Sequence, residues 1–161
     1  MNNDIEKIQA ELLKYRTCLY DRASGLPTVN AIIDDLRKIL EREKTIGILY
    51  LAIGDQSRIE PVFGWEVYDE LIKIFTICVL GEIGKIIPDS ALVAVSSLMG
   101  DGFFIFMSRT KSGALINKDY LRELSERFGE KIKKMKNELK HKEIEERIDL
   151  HTSYQVFRID S

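Results

Sequence analysis

The stretch ALVAVSSLMGDGFFIFMS (residues 91–108) places two apolar runs on either side of a glycine-containing turn. The runs, 91–98 and 103–108, are rich in β-branched and aromatic residues, which predicts two neighbouring strands. The turn between them carries one acid, Asp101, flanked by Gly100 and Gly102. Such a turn is either a plain hairpin or a place where a nucleotide-handling enzyme holds a metal ion, and the rest of the sequence has to decide between these two interpretations.

Helical and strand patterns surround this hairpin. Apolar residues spaced three and four apart predict helices, and TIGILYLAI (45–53) predicts a central strand that is buried on both faces. Thr28 is expected to cap the second helix, and residues 54–64, which contain Pro61, are expected to be irregular. The order predicts an α+β fold, with a central, mainly antiparallel sheet flanked by helices. The predicted helices cover 3–19, 29–43, 65–86 and 118–142, and a final strand covers 148–159.

The first helix carries an apolar stripe typical of a short coiled coil. Its members recur with heptad spacing and are flanked by Glu, Lys and Arg. Two interpretations remain open, a helix packed on its own domain and a stalk that joins two chains. The sequence is therefore divided into an N-terminal, coiled-coil-like linker helix (1–19) and a domain (20–161). The stripe consists of Ile5, Ile8, Leu12, Tyr15 and Leu19.

Composition excludes several classes of function. A net charge of −2 gives no broad basic field, so nucleic acid is not expected as a partner. Cys18 and Cys78 form no CxxC pair, which predicts free thiols in a reducing cytoplasm, and two histidines are too few to indicate a His/Cys zinc site. The N-terminus is polar and charged, and the apolar runs are far shorter than the roughly 20 residues that span a bilayer. A cytoplasmic chain with no membrane segment is expected.

Three segments in this order resemble the GGDEF domain. DRASGLPT (21–28) is similar to the family's D-x-L-T-G-L-P-N, Gly64 and Asp69 match the motif that follows its central strand, and MGDGF (99–103) takes the place of GGDEF itself. The resemblance covers about residues 20–159 and implies a nucleotidyl-cyclase-like fold. Active members are diguanylate cyclases, which condense two GTP into cyclic di-GMP. It also implies bacterial signalling, with a second copy or other signalling domains as partners. The family continues into a final helix after the last strand, and the sequence ends at Ser161 before that helix, which is expected either of a short protein or of a fragment of a longer signalling protein.

The departures from the family pattern bear on catalysis. In active members, carboxylates at the end of the central strand and within the GGDEF turn hold two Mg²⁺ ions against the triphosphate. Here the first carboxylate position is Ala52 and the next is Gly54, while the fourth motif residue, normally Glu, is Gly102. Asp101 survives as a vestigial metal ligand, and Met99 replaces a glycine that lets the backbone approach the nucleotide. The resemblance implies Mg²⁺ with GTP as cofactor only if nucleotide binding is retained.

The resemblance also supplies candidate nucleotide contacts. The family's guanine-binding Asn and Asp correspond to Glu60 and Asp69, and Gly100 and Asp101 lie in the motif turn. Trp65, at the family's histidine position, is expected to be a buried anchor for its helix. These positions predict a catalytically inactive, GGDEF-like domain that serves as a regulatory, nucleotide-sensing or dimerisation module. The alternative is an active diguanylate cyclase.

Overall fold

The computed structural model describes residues 2–54, 56–96, 102–139, 143 and 148–160. The helices are α1 (Asn2–Leu19), α2 (Ile33–Glu43), α3 (Gln56–Phe63), α4 (Trp65–Leu80) and α5 (Lys118–Glu138). The strands are β1 (Thr45–Ile53), β2 (Leu92–Val95), β3 (Gly102–Met107) and β4 (Leu150–Arg158), and a 3₁₀ turn over Val29–Ile32 leads into α2. The α+β class and the order of the predicted elements are confirmed.

The four strands form one antiparallel sheet in the order β2-β3-β1-β4. β1 therefore lies between β3 and β4, as its nearly continuous apolar sequence predicts. The register places Ala52 opposite Gly102 on β3 and opposite His151 on β4. The start of β3, which follows the predicted hairpin turn, and the start of β4 are thus brought beside the end of β1.

Alternation along β1 divides the core between the two faces of the sheet. Leu49 and Leu51 are fully buried in the larger cluster, which includes Phe75 of α4 and Phe128 of α5. Each such side chain contributes about 1.5–3 kcal/mol by leaving water. On the opposite face Ile46 packs with α2 in a smaller cluster that reaches Ile48 on β1. Tyr50 and Ala52 continue that face toward the end of the strand, where the candidate site lies.

The loop of residues 21–28 is fixed by its own side chains. The carboxylate of Asp21 accepts hydrogen bonds from the backbone N–H and the hydroxyl of Ser24, both at 2.7 Å. Gly25 has a φ of 71°, a conformation that side chains with a Cβ rarely adopt. These contacts explain why the loop needs Asp, Ser and Gly at these positions. The loop returns the chain to the end of α1, where Thr28 N–H donates to the Leu19 carbonyl at 2.8 Å.

Three local predictions are wrong. The segment expected to be irregular contains α3, because Pro61 removes only one N–H from a helix that ends two residues later. The Thr28 side chain does not cap the following turn, because its hydroxyl donates to the carbonyl of Cys18 at 3.1 Å. α4 ends at Leu80 rather than at residue 86, and the N–H of Gly81 closes its last turn on the Ile77 carbonyl.

Candidate functional site

The candidate site lies where β1 ends between β3 and β4. Ala52 is 9% exposed and presents only a methyl group at the position where the resemblance implies a metal-binding carboxylate. Gly54 follows the strand with a φ of 45° and donates its N–H to the carbonyl of Asp149 at 2.6 Å. This bond extends the pairing of β1 with β4 beyond Ile53. The backbone is therefore held firmly at a place that has lost its acidic side chains.

An aromatic ring occupies the space in front of β3 at this site. A Cβ added to Gly102 would lie 2.5 Å from Cζ of Tyr50 and closer still to its hydroxyl oxygen. Contacts under 3 Å are essentially never made by a real Cβ, so a side chain at residue 102 would have to displace the ring. The Tyr50 ring also packs on Phe104 with centroids 4.7 Å apart. Glycine at 102 and tyrosine at 50 are thus matched to each other.

The described part of this site does not fit the two-metal arrangement. Mg²⁺ prefers carboxylate oxygens in near-octahedral geometry, and positions 52, 54 and 102 supply no side-chain oxygen. Among the residues that the structure describes, there is no group of three or more His, Cys, Asp or Glu side chains that could hold a metal ion. Asp101, the predicted vestigial ligand, lies outside the described residues, so Mg²⁺ with GTP stays a prediction.

Solved structures with the same arrangement of elements are a diguanylate cyclase and GGDEF domains. The diguanylate cyclase SiaD from Pseudomonas aeruginosa, solved with its activator SiaC, is 12% identical with a TM-score of 0.62, over 96% of this chain and 56% of that one. The FimX GGDEF domain from the same organism is 11% identical with a TM-score of 0.62, over 87% of this chain and 80% of that one. The chain has the fold of a GGDEF domain.

A third GGDEF structure extends the match to the first helix. The coiled coil and GGDEF domain of DgcB from Caulobacter crescentus, in complex with c-di-GMP, is 15% identical with a TM-score of 0.57. The alignment covers 98% of this chain and 79% of that one. No family model and no curated protein matches the sequence. The solved structures nevertheless confirm the resemblance at the level of the fold, and the sequence motifs had already indicated this fold.

The predicted nucleotide contacts are distributed over two helices of the GGDEF fold and the motif turn. Glu60 is exposed near the end of α3, and Asp69 is half-buried in the second turn of α4, which packs against α3. Gly100 and Asp101 lie outside the described residues. The structure thus places the two guanine-contact candidates on neighbouring helices, and their role in binding stays a prediction.

Trp65 is not the buried anchor that its position in the motif predicts. Its side chain is 56% exposed at the start of α4. The buried positions of α4 are instead Tyr68, Leu71 and Ile72 in its early turns. The prediction took the apolar character of Trp65 as evidence of burial, whereas the helix turns this first residue toward solvent.

Sequence reasoning missed Tyr50 as a residue of the site. Its position in the apolar run of β1 indicates only a strand residue, and its contact with residue 102 depends on the register of β1 and β3. The alternation of β4 could have indicated His151 as a neighbour of Ala52, since both lie at paired positions. His151 is exposed. Tyr50 and His151 therefore lie beside Ala52 at this end of the sheet.

Two groups with shifted pKa values lie elsewhere in the domain. Hydrogen bonds from Arg109, and then from Arg42, lower the pKa of Glu43 at the end of α2. Arg109 donates to the same Glu43 oxygen from Nε at 2.9 Å and from Nη2 at 2.7 Å, which ties the end of β3 to α2. Burial raises the pKa of the Cys78 thiol in α4. The first shift comes from hydrogen bonds and the second from burial.

Among the described residues no helix combines the length and the hydropathy needed to cross a membrane.

Proposed function

We propose that this chain is a GGDEF-fold module that does not synthesise cyclic di-GMP and acts as a regulatory and dimerisation unit in bacterial cyclic di-GMP signalling. One observation carries the proposal. Ala52 and Gly102 face each other at the end of β1, and the Tyr50 ring fills the space in front of Gly102. A methyl group and a hydrogen stand at two positions where the resemblance implies carboxylates, and a phenol ring lies in front of the second.

The chemistry of the condensation explains why this set is insufficient. A 3′-hydroxyl must attack a polyanionic α-phosphate, and two metal ions stabilise the attacking and the leaving oxygens. The alanine methyl at 52 offers no ligand. A glutamate at 102 would overlap Tyr50, so the loss of the motif glutamate is built into the packing. With Asp101 as the one carboxylate left at these motif positions, two Mg²⁺ ions would lack the other carboxylate ligands that balance their charge.

The structural neighbours support signalling as the setting. The diguanylate cyclase SiaD was solved with an activator protein, and the GGDEF domain of DgcB was solved with c-di-GMP. Fold similarity does not transfer chemistry. The proposal therefore takes from these neighbours only the process and rests its statement about catalysis on residues 50, 52 and 102 of this chain.

α1 supports the dimerisation role. Every described side chain from residue 3 to residue 16 is exposed, including Ile8 and Leu12 of the apolar stripe at 57% each. An isolated helix of this length is marginal in water and is stabilised by packing of its apolar face. A second copy of the chain, with the same stripe in the same register, supplies that packing as a two-stranded coiled coil. We infer a homodimer that is joined through α1.

Incubation of the 161-residue chain with GTP and Mg²⁺ or Mn²⁺ tests the absence of catalysis. No cyclic di-GMP above a no-protein blank is expected. Product that scales with protein concentration would overturn the proposal.

Sedimentation tests the dimer independently of catalysis. Leu12→Asp places a charge in the stripe and is expected to give a monomer. Leu13→Asp is the matched control, because Leu13 is exposed on the same helix and lies outside the stripe. A monomeric wild-type chain, or equal effects of the two substitutions, would contradict a dimer held by this stripe.

A further inference from the structure

β4 lies at the edge of the sheet, and its register shows which backbone groups face outward. Gly54 donates to the Asp149 carbonyl, and Ile159 donates to the Lys44 carbonyl at 2.9 Å. Odd-numbered residues of β4 therefore direct their N–H and C=O groups toward β1, since these groups alternate along an antiparallel strand. The even-numbered residues 150–158 direct theirs away from the sheet. In the described part of the chain, no strand pairs with β4 on that side.

The sequence of this edge lacks the features that normally block pairing. Natural edge strands are protected by lysine, proline, inward charges, bulges or short length. β4 is nine residues long and pairs with β1 without a bulge. Residues 150–157, LHTSYQVF, contain no proline, glycine, lysine or acid. The strand is therefore well suited to accept a further strand.

The helix beside this edge provides space. The hydroxyl of Ser125 on α5 donates to that of Thr152 on β4 at 2.6 Å, which fixes the side of the helix that lies over the strand. Gly129 is one turn further along on the same side, and a Cβ added there would meet no atom within 4 Å. Small residues at these two positions leave room above the free edge.

The same side of α5 is basic. Lys118 lies two turns before Ser125 and Lys136 three turns after it, so helical spacing places both on the face of the helix that carries Ser125. Arg122 lies between them and is paired with Asp119 at 2.7 Å. Arg158 adds a positive charge at the end of the strand. Positive charge on α5 and outward backbone groups of β4 therefore lie along one edge, between Asp149 and Asp160, the acids just outside the two ends of the strand.

We propose that the β4 edge binds an extended segment of a partner protein that carries acidic side chains on the side facing α5. Main-chain hydrogen bonds to the even-numbered residues of β4 give affinity, and the lysines of α5 select the charge. A second copy of this chain suits the edge less well, because antiparallel pairing of two β4 strands would bring two basic flanks together. The inference is independent of catalysis and of the α1 dimer.

Peptide titration on the full chain tests the charge preference. The probe is acetyl-Thr-Glu-Val-Glu-Val-Glu-Val-Glu-Thr-amide, and its control has Lys in place of each Glu. The acidic probe is expected to bind at least about tenfold more tightly and to weaken as salt rises. The double variant Lys118→Glu, Lys136→Glu is expected to remove that preference. Lys134→Glu, on the opposite side of α5, is expected to keep it. Equal binding of the two probes, or no binding at millimolar concentration, would overturn the proposal.

Amide hydrogen exchange tests the mode of binding. The acidic probe is expected to slow exchange at Thr152, Tyr154 and Val156, whose N–H groups face outward, while Ser153 and Gln155 are protected with or without it. A probe N-methylated at the residues that face β4 is expected to lose binding. Binding without new protection at these amides contradicts the proposal. Their protection in the free chain also contradicts it, because a second copy of this chain would then already occupy the edge.

Discussion

A single methyl group added at Gly102 tests the packing that closes the site. In Gly102→Ala the new Cβ would overlap the ring and the hydroxyl of Tyr50. The ring packs on Phe104, so it cannot move without losing that contact. Overpacking of this kind costs about 1–3 kcal/mol of unfolding free energy. For a chain of this size, each kcal/mol lowers the melting temperature by about 2–4 °C, which gives an expected decrease of about 2–12 °C.

A double-mutant cycle separates this overlap from other effects of the substitution. In a Tyr50→Ala background the space in front of residue 102 is open, so Gly102→Ala is expected to cost under about 0.5 kcal/mol. The resulting coupling free energy between the two positions is about 1–3 kcal/mol. Thermal and urea unfolding, followed by circular dichroism, measure all four chains of the cycle.

A second glycine provides a control, because its substitution by alanine is expected to raise the free energy of unfolding instead of lowering it. Gly129 lies in α5, and an added Cβ there would meet no neighbour. Gly129→Ala is expected to stabilise the chain by about 0.5–1 kcal/mol, because alanine favours the helix. If Gly102→Ala melts at the wild-type temperature, or if it costs the same with and without the Tyr50 ring, then Tyr50 does not occupy this space and the steric part of the account fails.

Three further measurements address charge, thiol reactivity and nucleotide binding. Arg109 lowers the pKa of Glu43, so the pair stabilises the folded chain at neutral pH, and this contribution is lost as the pH falls through the pKa of Glu43. Glu43→Gln should therefore flatten the acid side of a curve of unfolding free energy against pH. An unchanged curve would exclude the Glu43–Arg109 pair as the cause of the loss of stability in acid. Burial raises the pKa of the Cys78 thiol, so a thiol reagent at mildly alkaline pH should modify exposed Cys18 before Cys78. Mass spectrometry measures the order of modification. Modification of Cys78 before Cys18 would contradict this prediction. Calorimetry with GTP should give heat that Asp69→Asn reduces, and no heat at millimolar GTP would end the nucleotide-binding prediction.

The fold could largely be predicted because the residues that recur as apolar in the sequence are the ones that form the core. The run at 45–53 is apolar on both faces, and it forms the strand with neighbours on both sides. The hairpin strands around the glycine turn and the alternating final strand follow in the same way. The segment 21–28 resembles a family motif at Asp21 and Gly25, and the hydrogen bonds and the positive φ found there require these residue types.

The candidate site was predicted only in part, since its key contact joins distant residues. The absence of a carboxylate at Ala52 is visible in the sequence, because this position can be compared with the motif of the family that the chain resembles. The matching of Tyr50 to Gly102 is not visible, because it depends on strand register and on the direction of one aromatic ring. The exposure of Trp65 and the short helix across Pro61 were missed because residue type alone does not fix where a helix begins.

Turnover of GTP by the 161-residue chain is the most direct test of the central claim. The protein is held well above the concentration at which sedimentation shows the dimer, with Mg²⁺ and separately with Mn²⁺, and an active diguanylate cyclase is run beside it. Mass spectrometry of the nucleotides measures the product. We predict cyclic di-GMP at the level of the no-protein blank while the active enzyme accumulates it. Cyclic di-GMP that grows with time and with protein concentration would contradict the claim that Ala52, Gly102 and Tyr50 have removed the cyclase chemistry from this fold.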